Sequence, residues 1–364
     1  MTIIIFIVII AFLVFIHELG HFSAAKLFGV RVDEFGIGFP PRLLSWKKGE
    51  TLYSLNFIPF GGFVRIFGEN PNEESEHGQD RARSLTAKPY YQQALILVGG
   101  VFFNWLLAWL LISIGFMSGL PMAADGAKKE GLILDDISTM VLQVSKESPA
   151  ALAGLKPGDK IIAIKSGLAV KTNPTVAEFQ DIIRTSAGEV VVDYERGGDV
   201  QQVFIKPLIG LTAEGKAIGV ALDQVGNLQL NPLSALWYGF GRTFDMTRDL
   251  TLGLKDIIVG LFSGDNVKEA VMGPVGIAGL VGDARALGII YLLTFAAFIS
   301  LDLAIINLIP FPALDGGRLL FLLIEAVKGS PIKPIVANSL NAVGFLLLIG
   351  LMLLVTIFDV LRLF

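Results

Sequence analysis

Apolar residues gather in four long runs, at 3–27, 94–120, 287–309 and 343–358, and the stretches between them mix polar and apolar positions. A helix needs about 20 residues to cross a hydrocarbon core, and the fourth run reaches that length only with its flanks. The pattern predicts a polytopic α-helical membrane protein with four transmembrane helices. Between the first two runs, residues 30–38, 43–46, 53–58 and 63–67 alternate apolar with other residues. Pro40-Pro41, Lys48-Gly49-Glu50 and Pro59-Phe60-Gly61-Gly62 punctuate them, which predicts short strands and hairpins. Their apolar content (Phe35, Phe39, Trp46, Phe57, Phe60, Phe63) suggests a β-hairpin region that dips into the membrane, shielded by protein. Residues 70–83 read as an acidic, mobile loop, and His77 within it reads as a solvated side chain rather than a ligand.

A different pattern occupies residues 131–225. Runs at 138–144, 160–164, 190–195 and 202–206 fit strands, and residues 176–186 fit a helix, so a compact α+β module is expected. Inside it stands Ser148-Pro-Ala-Ala-Leu-Ala-Gly-Leu-Lys-Pro-Gly-Asp159, just ahead of an apolar strand. This segment resembles the signature of protease-associated PDZ domains, which bind extended peptide by strand addition. Beyond it, Leu233, Leu236, Trp237, Phe240 and Phe244 recur at helical spacing, predicting amphipathic helices at the outer membrane surface or packed on the module. The expected domain map is a first membrane part at 1–120, the PDZ-like domain at 121–226, amphipathic helices at 227–286 and a second membrane part at 287–364.

Composition narrows the class. The chain of 364 residues is 53% hydrophobic and 17% charged, which exceeds the apolar content of an ordinary soluble protein. A formal charge of −4 argues against a nucleic-acid partner. With no cysteine, thiolate zinc sites, disulfides, iron–sulfur clusters and a cysteine nucleophile are excluded. The N-terminal run lacks a basic leader and a small-residue cleavage pattern, so it is expected to be a retained span. Lys and Arg crowd the connection at 29–93, and Arg318, Lys328 and Lys333 follow the third run. Both connections are therefore expected in the cytoplasm, with both termini and the module outside.

The chemistry centres on His17-Glu18-Leu19-Gly20-His21 in the first run, which uses two of the three histidines. Four residues apart on a helix, His17 and His21 share one face and can hold one metal ion, while Glu18 can take a proton from water. Ionisable groups in a span cost about 2.5–3.5 kcal/mol each, so they mark function by default. A catalytic zinc usually takes three protein ligands, and with no cysteine and with His77 read as solvated, a carboxylate is expected as the third. Asp302, Asp315, Glu325 and Asp359 stand in apolar surroundings; Asp359 falls at the opposite membrane face and Glu325 on an amphipathic helix beyond the third run, which leaves two candidates. Asp302 lies deep in an uninterrupted run. Asp315 lies in Asn307-Leu-Ile-Pro-Phe-Pro-Ala-Leu-Asp-Gly-Gly317, where two prolines and two glycines break the helix at membrane depth. Broken backbone there is tolerated where it lines a cavity, and the topology puts this end of the third run on the side of His17 and His21. Both points favour Asp315.

Together these motifs resemble the site-2 protease family of intramembrane zinc metalloproteases, in the branch of the bacterial regulator of sigma-E protease. Pro59-Phe-Gly-Gly-Phe-Val-Arg65 and Gly99-Gly-Val-Phe-Phe-Asn104 extend the likeness over nearly the whole chain. The resemblance implies Zn2+ held by His17, His21 and Asp315, with Glu18 as general base. It implies that Asn307 holds unwound substrate backbone and that Gly61, Gly62, Phe63 and Val64 belong to a strand that pairs with substrate. Asn104 matches a polar position of the second span near the site. The implied setting is the bacterial inner membrane, with the site near its cytoplasmic side. The implied substrates are single-span membrane proteins, of the anti-sigma-factor or remnant-signal-peptide type. Two features depart from the branch: there is room for one PDZ-like domain where relatives carry two, and Asp302 stands where a neutral or small residue is expected. A non-proteolytic scaffold with structural zinc would need a fourth ligand. A metal transporter would need polar residues along its whole path.

Overall fold

The computed structural model describes residues 1–69, 78–212, 215–263 and 272–362, so His77 lies outside the described residues. The first apolar run forms α1 (Thr2–Leu27), about 39 Å long at 1.5 Å per residue. Two long strands follow, β1 (Val32–Lys48) and β2 (Thr51–Ile66), each bent in the middle. Residues 34–37 pair with 62–65 on one side and with 52–55 on the other, while 44–48 pair with 51–55. The four alternating runs thus become four legs of one antiparallel sheet, in the order 62–66, 32–37, 51–58, 42–48. The β1 bend falls at Pro40-Pro41, whose peptide bond is cis. Glu34, 2% exposed, ties the outer legs together: Arg42 donates to its carboxylate at 2.6 and 3.1 Å, Ser54 donates at 2.8 Å, and Arg65 lies at 3.7 Å. The next apolar helix is α2 (Tyr90–Met117).

The central module comprises β3 (Leu120–Ala123), α3 (Ala124–Lys129), β4 (Asp135–Val144), α4 (Pro149–Leu152), β5 (Lys160–Ser166) and β6 (Ala169–Thr172), then α5 (Val176–Thr185) and β7 (Val190–Arg196). It ends with β8 (Asp199–Ile205), β9 (Leu208–Thr212), β10 (Gly215–Ala217) and β11 (Val220–Leu228). Its main sheet is antiparallel with the order β3-β11-β4-β5-β7-β8, and β6 pairs with β5. Phe179 and Ile183 of α5 pack on Val141, Ile161, Ile164 and Val190. Ser148 caps α4, and a capping box between Thr175 and Glu178 starts α5. Alternation did not reveal β11, because Asp223, Gln224 and Asn227 dilute its apolar face, yet it pairs on both sides.

Next come α6 (Pro232–Ser263), α7 (Pro274–Leu287), α8 (Ile289–Leu308), α9 (Asp315–Lys328) and α10 (Pro334–Leu361). The amphipathic stretch is one continuous helix rather than several. Trp105 donates to Thr247 at 3.1 Å and Trp109 to the Leu236 carbonyl at 2.9 Å, which seats α6 against α2. Asp359 of α10, 4% exposed, accepts from the amides of Gly273 and Gly276 and so caps the start of α7. Among the described residues, α1, α2, α8 and α10 are long and apolar enough to cross a membrane. Chain contacts define two compact units: Met1–Ser113, Leu236–Asp283 and Leu293–Phe364 form one, and Ile114–Ala235 with Ala284–Leu292 forms the other.

Candidate active site

One helical turn separates His17 from His21, and their Nε2 atoms stand 3.2 Å apart on the buried face of α1. Close approach of α2 makes that face. A Cβ on Gly20 would lie 2.2 Å from the Gly99 carbonyl oxygen, so the two backbones meet where glycine allows it. Gly100 leaves room for the imidazoles themselves, since a Cβ there would fall 2.4 Å from His21 Nε2.

The third partner arrives from the far end of the sequence. Residues 309–314 leave α8 and turn sharply through Ala313, whose φ of 77° is left-handed. Asn341 of α10 accepts the Ala313 amide at 3.1 Å. The turn folds onto the start of α9 so tightly that a Cβ on Gly316 or Gly317 would come within 2.2 Å of a backbone carbonyl. This places Asp315, first residue of α9, with Oδ2 3.0 Å from His17 Nε2 and 3.2 Å from His21 Nε2. Burial alone would raise the Asp315 carboxyl, but its contacts with the two imidazoles pull it below the usual carboxylate range.

These three side chains offer ligand atoms within 4.8 Å of one another. Two imidazole nitrogens and one carboxylate oxygen form a donor set suited to a catalytic Zn2+ that keeps a position open. The surrounding contacts fit the same role. His21 Nδ1 lies 2.9 Å from the Ile96 carbonyl, which can only accept, so Nδ1 carries the hydrogen and Nε2 keeps its lone pair. The Asn104 amide lies 3.2 Å from His17 Nδ1, and its Oδ1 is buried with no partner among the described residues. Amide nitrogen and oxygen exchange places by a half-turn. With Oδ1 turned to His17, Nδ1–H donates and the second Nε2 is likewise free.

Glu18, Phe63, Val64, Asn307, Arg318 and Asn341 line the cavity around the cluster. A Cβ on Gly62 would lie 3.4 Å from Glu18 Cγ and 3.0 Å from the Gly36 carbonyl oxygen, so the 62–66 leg runs directly beside Glu18. Gly61, at φ 92°, makes the turn into that leg. Asn307 donates to the Leu303 carbonyl at 2.9 Å, which leaves its oxygen for another group. Asp302 stands apart from the cluster, on another face of α8. The sequence reading passed over Arg318 and Asn341. Arg318 had a signal, because it follows Asp315 by three residues and so shares its helix face. It pairs with Glu69, and burial lowers its guanidinium while Glu18 opposes that shift. Asn341 had none, since its role is set by a turn 28 residues away.

The sequence profile of peptidase family M50 matches residues 5–351. The zinc metalloprotease RasP of Geobacillus kaustophilus is 32% identical, over 100% of this chain and 98% of that protein. The regulator of sigma-W protease RasP of Bacillus subtilis is 30% identical, over 100% of this chain and 99% of its own length. The crystal structure of a PDZ domain from an SdrC-like protein of Listeria monocytogenes matches 23% of this chain at 28% identity, with a TM-score of 0.21.

Proposed function

We propose that this chain, which belongs to peptidase family M50 and is a membrane zinc metalloprotease of the site-2 type, hydrolyses peptide bonds inside the transmembrane segments of single-span proteins. The observation that carries this reading is that Asp315 meets His17 and His21, two residues of a helix apolar enough to span a bilayer. Such a site has little use for a soluble substrate. When bound there, Zn2+ polarises the scissile carbonyl and lowers the pKa of water.

The chain's own residues supply the rest. His17 and His21 are fixed by Asn104 and the Ile96 carbonyl, so their orientation needs no rearrangement. Glu18 removes the proton of the attacking water and delivers it to the leaving amine. Helical substrate must first unwind. The 62–66 leg has a strand partner on one side only among the described residues, and its free rim holds the unwound segment by main-chain hydrogen bonds. Asn307 receives a backbone group released from the substrate helix. The module at 121–226 is read as an inserted, extracytoplasmic PDZ-like domain, with its groove beside α5 (Phe179, Arg184, Lys216) open to a peptide end. The 1–120 and 287–364 parts then form the membrane domain, the β-sheet legs dip into the membrane, and the site faces the cytoplasmic side. The resemblance to the sigma-regulating branch favours anti-sigma factors or remnant signal peptides as substrates.

Glu18→Gln keeps the shape of the side chain and removes the base. Cleavage of a reporter transmembrane segment is expected to fall by about 10²–10⁴-fold with zinc retained. Turnover near the wild-type rate in that variant would sink the assignment.

A further inference from the structure

The face of the β1–β2 sheet that packs on α1 continues past that helix as an apolar surface. Phe35 and Tyr53 lie on this face, and Phe22 of α1 meets both, at ring separations of 5.3 and 6.1 Å. Leu44 pairs with Leu55 and Trp46 with Tyr53, and alternate residues of a strand share a face, so Leu44, Trp46, Leu55 and Phe57 extend it outward. These four are between 38% and 65% exposed. The turn at 49–50 sits at the last turn of α1, where Lys26 holds Glu50, while Tyr53 sits at Phe22 and Gly62 at Val14 and Glu18. The outer legs therefore run from the end of a helix apolar enough to cross a membrane back along it. Trp46 stacks on Tyr53 at 5.9 Å, about one helical turn inside that end, the level at which aromatic residues anchor to a bilayer. Lys47 and Lys48 stand beyond it, exposed at the turn, and draw no hydrogen bond or ion pair among the described residues. Glu50, the nearest acid in the chain, is taken up by Lys26 and Arg83.

We infer that the outer legs, 42–48 and 51–58, bind anionic phospholipid, with acyl chains against Leu44, Trp46, Leu55 and Phe57 and the headgroup held by Lys47 and Lys48. This rests on the reading above that the β-sheet legs dip into the membrane. Three features select this occupant. The apolar surface ends at two cations without a protein counter-charge, the order in which an anionic phospholipid presents chain and charge. The 42–48 leg is an open edge, so both long side chains can reach round its rim to one headgroup. Substrate is read as pairing at the opposite edge, three legs and about 14 Å away at about 4.8 Å per leg. A second copy related by a two-fold axis along the membrane normal would set the lysines of both chains side by side at one level, where they repel.

The test places the full chain in phosphatidylcholine nanodiscs with a rising fraction of lipid brominated on its chains, either phosphatidylglycerol or phosphatidylcholine. The emission of Trp46 is read as the difference between wild type and Trp46→Phe. Brominated phosphatidylglycerol is expected to half-quench it at a mole fraction about 25-fold lower than brominated phosphatidylcholine, at about fivefold per lysine. In the double variant Lys47→Gln with Lys48→Gln that ratio falls to about one, while quenching by brominated phosphatidylcholine persists and shows the sheet in place. Lys88→Gln, which removes a cation outside these legs, keeps the full ratio. A ratio near one in wild type, a ratio unchanged in the double variant, or an equal fall in Lys88→Gln overturns the inference and leaves the dipping sheet intact. Trp46 emission untouched by either brominated lipid overturns both.

Discussion

Gly100 and Asn104 lie one turn apart on α2 and serve the same two imidazoles. The glycine makes room for them and the asparagine orients one of them. Gly100→Ala puts a methyl group where His21 Nε2 stands, so the purified variant is expected to lose most of its zinc. Metal analysis against wild type reads this directly. Asn104→Ala removes the partner of His17 Nδ1 and is expected to cost about 10–100-fold in metal affinity or activity, measured by competition with a chelator. At this scale the sequence was informative where chemistry is local. His17, Glu18 and His21 declare themselves by spacing on one helix, and Asp315 by the broken backbone around it. Arg318 was open to the same kind of argument, three residues past Asp315 on its helix, whereas Gly100 and Asn341 act on groups elsewhere in the chain, and no spacing rule exposes such contacts.

Elements position these residues through tight turns and one buried carboxylate. At the start of α9, Gly317→Ala would drive a Cβ into the Phe311 carbonyl. Relief requires the 309–314 turn to move, and with it Asp315. A loss of about 2 kcal/mol or more is expected, as is lower zinc content. Thermal unfolding and metal analysis together check this. In the sheet, Glu34→Ala frees Arg42 and Ser54 and removes charge-assisted hydrogen bonds worth about 1.5–3 kcal/mol. Faster amide exchange across residues 62–66 is the expected sign, since that leg is held through the leg that carries Glu34. The sequence exposed these legs because their alternation is clean and proline or glycine ends each one. It hid β11, whose polar residues break the alternation, and it divided into several amphipathic helices what is one continuous helix, α6.

For the whole molecule, the four apolar helices were legible from length and hydropathy alone, because a bilayer permits few alternatives. Sidedness rests on Lys and Arg in short connections, and the absence of cysteine makes it easy to test. A membrane-impermeant thiol reagent is expected to label Leu168→Cys in the module on intact cells, and Lys328→Cys only after lysis. The reverse pattern would invert the topology.

The central claim is that one metal centre is assembled from α1 and from a turn almost three hundred residues later in the chain. Zinc stoichiometry of purified wild type, Asp315→Ala and Asp302→Ala tests it most directly. The account predicts about one zinc per chain in wild type and in Asp302→Ala, and little in Asp315→Ala. Full zinc in Asp315→Ala, or its loss in Asp302→Ala, would contradict it.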